Sequence, residues 1–180
     1  MRHWPYGMLC VAAMYCSGYG GSPTHIFCRR IMQNVFWPGK SIQGLSQRTN
    51  NRNEQNPATA KIATLCQQFD ANVSVDYRAG SRVYIAYYAY ASDYNGDYSV
   101  LVGTDQASIP AQIPLQTVQL PVGNYLKFIA TGQVPQVVIA TWQTIWAYFA
   151  DPACPHRRAY AVDFEFYKSA TELEIYIGLA

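Results

Sequence analysis

YAYASDYNGDYSVLVG (residues 88–103) and DFEFYKSATELEIYIG (residues 163–178) superpose without a gap at an offset of 75 positions. Each reads as a strand, a polar turn and a second strand that ends in glycine. Asn95-Gly96 and Lys168-Ser169-Ala170 supply the turns of two expected hairpins, Asn-Gly being a strong short-range hairpin signal. Ahead of each hairpin lies a helical pattern. In NPATAKIATLCQQF (56–69), Ile62, Leu65, Cys66 and Phe69 recur at helical spacing, with Asn56-Pro57 as the expected start. In VPQVVIATWQTIWAYF (134–149), Val138, Trp142, Ile145, Trp146 and Phe149 recur in the same way after Pro135. These two helices superpose at an offset of 80. Strand-like segments, SIQGLSQRTN (41–50) and TVQLPVGNYLKFIATG (117–132), precede the helices. The chain therefore predicts an α+β fold: duplicated β-α-β-β units with pseudo-twofold symmetry. They would form a curved antiparallel sheet with two main helices on one face and a groove on the other.

Alternate residues of a strand face opposite sides of a sheet. In the later hairpin this alternation expects Tyr160, Val162, Phe164 and Phe166 on the helix side, and Asp163 and Glu165 on the groove side. Carried back by 75 positions, it expects Ile85, Tyr87, Ala89 and Ala91 on the helix side, and Tyr84, Tyr88 and Tyr90 in the groove. In the last strand Leu173, Ile175, Ile177 and Leu179 would face the helices, leaving Glu174 and Tyr176 with the acids. A face of tyrosines and carboxylates almost without Lys or Arg differs from an ordinary solvated face, which mixes charge signs. It suits an organic cation, which aromatic rings attract through their quadrupoles and a carboxylate neutralises. The same residues also fit Glu165 pairing with Arg157, Arg158 or Lys168 at the sheet edge.

Half of the 180 residues are hydrophobic and only 13% are Asp, Glu, Lys or Arg, which is ample material for a core. The formal charge of +2 gives no field for holding a polyanion, and no direct nucleic-acid binding is expected. The five cysteines (Cys10, Cys16, Cys28, Cys66, Cys154) form no C-x-x-C pair, so reduced thiols in a cytoplasmic protein are expected, with no metal and no cofactor. No run approaches the ~20 apolar residues that span a membrane, so no membrane role is expected. Residues 1–31, MRHWPYGMLCVAAMYCSGYGG and beyond, imitate a signal peptide poorly and read as a loosely attached or non-native extension. The folded unit would then cover 32–180.

The segments GLSQRTNN, VYIAYYAYASDYNGDYSVLVG, QLPVGNYLKFIATG, VPQVVIATWQTIWAYF and RAYAVDFEFYKSATELEIYIGL together resemble the GyrI-like effector-binding superfamily. This is the domain that ends several multidrug-responsive transcription activators of bacteria, and the likeness extends to its free-standing, cationic-drug-binding type carried on integron cassettes. It covers about Ile42 to Leu179. The resemblance implies a binding protein for lipophilic organic cations, with Glu165 as the neutralising acid. Tyr88, Tyr90, Tyr125 and Trp142 would be aromatic walls, and Tyr84, Tyr176 and Asp163 would stand close by; Trp142 also fits the core. Unlike the activators, the chain shows no helix-turn-helix. The domain would sense or sequester drugs, with a homodimer or association with a separate regulator as the expected partnership. Two other functions stay open. Asp163 and Glu165 could couple as an acid/base pair, as in hydrolases of reactive small molecules on this fold, or the domain could bind a protein as the gyrase-protecting members do. His3, His25 and His156 offer no catalytic constellation, and His156-Arg157-Arg158 reads as a solvated basic loop.

Overall fold

Residues 32–106 and 113–180 are described by the structure, a computed structural model; the expected extension over 1–31 lies outside the described residues. In chain order the elements are β1 (Met32–Trp37), β2 (Lys40–Thr49), α1 (Asn51–Glu54), α2 (Ile62–Asn72), β3 (Val83–Tyr88), β4 (Tyr98–Thr104), β5 (Gln116–Leu120), β6 (Gly123–Thr131), α3 (Gln136–Ala150), β7 (Val162–Tyr167) and β8 (Glu172–Gly178). The eight strands form one antiparallel sheet in the order β1-β6-β8-β7-β3-β4-β2-β5. That order reads symmetrically outward from the β7–β3 seam, so β6-α3-β7-β8 repeats β2-α2-β3-β4. The duplicated α+β architecture expected from the sequence is present.

Local chemistry sets the boundaries. The expected strand over 117–132 breaks into β5 and β6 at Pro121, which has no N–H for a ladder bond. Helix α2 begins at Ile62 rather than at Asn56-Pro57. The buried Glu54 carboxylate accepts the Lys61 and Ile62 N–H groups (3.1 and 3.2 Å) and so caps the helix there, while Asn56–Ala60 closes as a turn. Only two residues join β1 to β2, although these strands lie near opposite ends of the sheet. Val35 and Trp37 of β1, Ile42 of β2, and Val118 and Leu120 of β5 accordingly meet in one cluster. The sheet is curled over the face away from the helices.

Each face has its own core. On the helix face, Ile62, Leu65, Cys66 and Phe69 of α2 and Val138, Trp142 and Ile145 of α3 pack on Ile85, Tyr87, Val100, Phe128, Ile175 and Ile177. The far face is filled by rings: Phe164 stacks on Tyr176 at 4.6 Å between centroids, Tyr84 stacks on Phe166 at 5.0 Å, and Trp37 tilts onto Phe164 at 4.8 Å.

These contacts correct the expected facing of β7. Glu165 lies opposite Ile85 and Ile175, both on the helix face, while Phe164 and Phe166 join the far cluster with Tyr84 and Tyr176. The expectations for β3 and β8 stand: Ile85 and Tyr87, and Leu173, Ile175 and Ile177, face the helices. The error has one cause. Residues 89–97 join β3 to β4, whereas only 168–171 join β7 to β8, so the first turn is five residues longer. With β4 placed on β8 at 75, the two hairpin ladders put β3 on β7 at 78. An odd difference inverts every side chain of a strand. The acids therefore face the helices and not the far face, where the groove was expected and where packed rings stand instead.

Candidate functional site

Glu165 stands at the floor of a cleft between α2, α3 and the sheet. The lining includes Ile62, Tyr87, Tyr90, Tyr98, Trp142, Trp146 and Arg158, with Asn51 and Tyr94 at the rim. The enclosed space is about 50 Å³. Its carboxyl is 1% exposed and accepts three hydrogen bonds. Tyr87 Oη (2.8 Å) and Trp142 Nε1 (2.7 Å) donate to Oε1, and Tyr167 Oη (2.6 Å) donates to Oε2. All three donors are neutral. Burial therefore dominates, holding this carboxyl above the ordinary glutamate value of 4.5, with the three hydrogen bonds acting in the opposite direction.

Asp163, two residues earlier, has a different setting. Its Oδ2 accepts from Arg158 Nη2 (2.6 Å), Arg158 Nε (3.1 Å) and Tyr90 Oη (2.8 Å), and its Oδ1 accepts the Gly178 N–H (2.9 Å). Both oxygens are occupied, so an acid/base couple with Glu165 gains no support from the geometry. Arg158, expected in a solvated loop, is instead buried, with its guanidinium carbon 4.6, 5.6 and 5.7 Å from the Tyr160, Tyr90 and Trp142 ring centroids. Its neighbour Arg157 stays exposed, and nothing in the local spacing distinguishes the two. Burial, reinforced by Asp163 and opposed by Arg158, keeps the Tyr90 hydroxyl far above its usual titration range, and Tyr98 is raised likewise by burial.

Of the eight expected site residues, the fold brings Glu165, Asp163, Trp142 and Tyr90 together. Tyr90 arrives by a route that alternation does not anticipate. Ala89 takes a left-handed conformation (φ 50°), which turns the chain over after β3 and swings Tyr90 to the helix face. Tyr84, Tyr88, Tyr125 and Tyr176 lie across the sheet from Glu165 and use their hydroxyls on Asp105, Ser46, the Pro121 carbonyl and Glu174. Tyr87, Tyr98 and Tyr167 were not expected at the site, and Arg158, offered as a partner for Glu165, pairs with Asp163 instead; with β7 in its correct register, Tyr87 and Tyr167 become visible as same-face neighbours of Glu165. Among the described residues no three His, Cys, Asp or Glu side chains converge to hold a metal ion, and no helix is long and apolar enough to cross a membrane.

A family model described as Cass2, integron-associated effector binding protein, matches residues 35–179. An integron cassette protein from the mobile metagenome of Vibrio cholerae superposes with a TM-score of 0.77 at 38% identity, over 84% of this chain and 97% of that one. SAV2435, whose structure was determined bound to tetraphenylphosphonium, shares the fold at a TM-score of 0.58 and 17% identity, over 83% of this chain and 93% of that one. No curated protein matches. The family match runs through both repeats and both walls of the Glu165 cleft, and the chain belongs to the integron-associated effector-binding family.

Proposed function

We propose that this protein binds lipophilic organic cations in the cleft between α2 and α3, with Glu165 as the charge partner. One observation carries the reading: a fully buried carboxyl, held by three neutral donors and no cation, at the floor of an aromatic cleft. An isolated buried carboxylate costs several kcal/mol, and a positive guest would supply the missing counter-charge. Tyr87, Tyr90, Tyr98 and Trp142 offer ring faces and edges, each worth ~0.5–2 kcal/mol to a cation according to its desolvation. Burial of the guest's apolar area, at roughly 25 cal/mol per Å², supplies most of the affinity, and the carboxylate selects charge. Membership of an effector-binding family supports a small-molecule role, and the fold-related SAV2435 takes a lipophilic cation.

The test is a titration with tetraphenylphosphonium, followed by tryptophan fluorescence. Glu165→Gln is expected to weaken binding by about tenfold or more, with the circular dichroism spectrum unchanged. Equal affinity in the variant removes Glu165 from the site.

A further inference from the structure

The Glu165 cleft contains a cation of its own. Arg158 lines it alongside Glu165, and Trp142 touches both: its Nε1 donates to Glu165 at 2.7 Å, and its ring centroid lies 5.7 Å from the guanidinium carbon. The guanidinium sits among Tyr90, Trp142 and Tyr160 with the Asp163 carboxylate beneath, which is how an aromatic cage holds a positive guest. The cleft thus has one carboxylate-plus-aromatic subsite that lacks a positive partner, and beside it, reached through Arg158, a second that the chain itself fills. Nε and Nη2 of Arg158 are bound to Asp163 and Tyr90, whereas Nη1 makes no hydrogen bond to the described residues.

We propose that Arg158 is a specificity-determining residue that restricts this cleft to guests with a single positive charge. The proposal rests on the cation-binding reading above. With both acids ionised, Asp163, Glu165 and Arg158 leave one net negative charge, so a monocation neutralises the cleft. The second charge of a dication would meet a guanidinium in a poorly solvated space, where like charges repel strongly. Guests with a carbonyl or ester opposite the cationic end are favoured, because Nη1 can donate to them.

The experiment compares tetraphenylphosphonium with dequalinium, a lipophilic dication, by fluorescence titration on the full chain. Only the dequalinium-to-tetraphenylphosphonium affinity ratio is read, and each protein is compared with wild type, which cancels the difference in guest size. Arg158→Gln leaves Asp163 as a second free carboxylate and should raise the ratio about tenfold or more. The double variant Arg158→Gln/Asp163→Asn removes both charges, restores the original balance and should return the ratio to the wild-type value. If Arg158→Gln does not fold, Asp163→Asn alone should lower the ratio, since Arg158 is then unopposed. An unchanged ratio in every folded variant overturns the proposal and makes Arg158 a structural partner of Asp163 only. Failure of wild type to bind tetraphenylphosphonium is a different result: it overturns the cation-binding reading itself, and this inference with it.

Discussion

At the scale of single residues, the proposed function has Glu165 exchange stability for charge selection. Its folded pKa lies above the ordinary 4.5, so the native state holds the proton more tightly than the unfolded chain does. The contribution to stability is full below that ordinary value and is lost as pH rises through the folded value. Glu165→Gln has no proton to lose. The variant should therefore gain on wild type as pH rises above about 4.5, and the comparison of thermal midpoints from pH 4 to 8 measures this. A difference that stays flat over that range contradicts a buried, unpaired carboxyl. Binding of a permanent cation runs the other way, because it favours the carboxylate: affinity should rise about tenfold per pH unit up to the folded pKa and then level off. Tyr167 adjusts that midpoint without lining the cleft, since its hydroxyl donates to Oε2 at 2.6 Å. Tyr167→Phe should shift the midpoint of the affinity–pH curve upward while leaving the high-pH affinity within about twofold. A loss of affinity at all pH values would instead place Tyr167 in contact with the guest.

At the scale of elements, the curl of the sheet depends on strands approaching where side chains are absent. Gly44 of β2 lies opposite Gly103 of β4, and a Cβ on Gly44 would stand 1.9 Å from the Val102 carbonyl oxygen and 2.5 Å from the Gly103 Cα. Both obstacles are backbone and cannot rotate away. Gly44→Ala should destabilise the domain by about 3 kcal/mol or more, read as a lower urea midpoint; a shift under about 1 kcal/mol would mean that the strands separate easily. Gly103 and its repeat mate Gly178 were legible in the sequence because they end both hairpins at the same offset. The helices were legible too, through Ile62, Leu65, Cys66 and Phe69 and their counterparts, because a 3.6-residue period survives loss of sequence identity. The facing of β7 was not, because nine turn residues against four invert a strand without altering its composition. Nor was Tyr90, since a left-handed alanine leaves no mark in the alternation pattern. Glu165 was expected at the site on its residue type and its place in the second hairpin, and the structure puts it at the floor of a cleft on the face opposite to the one assigned.

At the scale of the molecule, the cleft is too small for the guest it is proposed to hold. About 50 Å³ is enclosed, whereas drug-sized ligands occupy clefts of roughly 300–1,000 Å³. A guest of that size would draw on a wider, less populated state, and its apparent affinity would be the intrinsic one reduced by that state's fraction. The two helical walls differ in how firmly they are held. Helix α2 is anchored at its start by the Glu54 carboxylate, while α3 starts at Pro135 with no side-chain cap and no acid in its first turn. Pro135, Val138 and Ile139 line the cleft from that weakly held end, so widening should begin there. Two measurements check this. In stopped-flow tryptophan fluorescence with excess tetraphenylphosphonium, the observed rate should reach a plateau set by opening, whereas a strictly linear rise would mean that the guest enters without one. In hydrogen exchange, the amides of residues 139–142 should exchange faster than the corresponding amides of α2, residues 65–68, in the free protein and gain protection when the cation is added. Equal exchange in both helices would move the opening away from α3, to the rim formed by Asn51 and Tyr94.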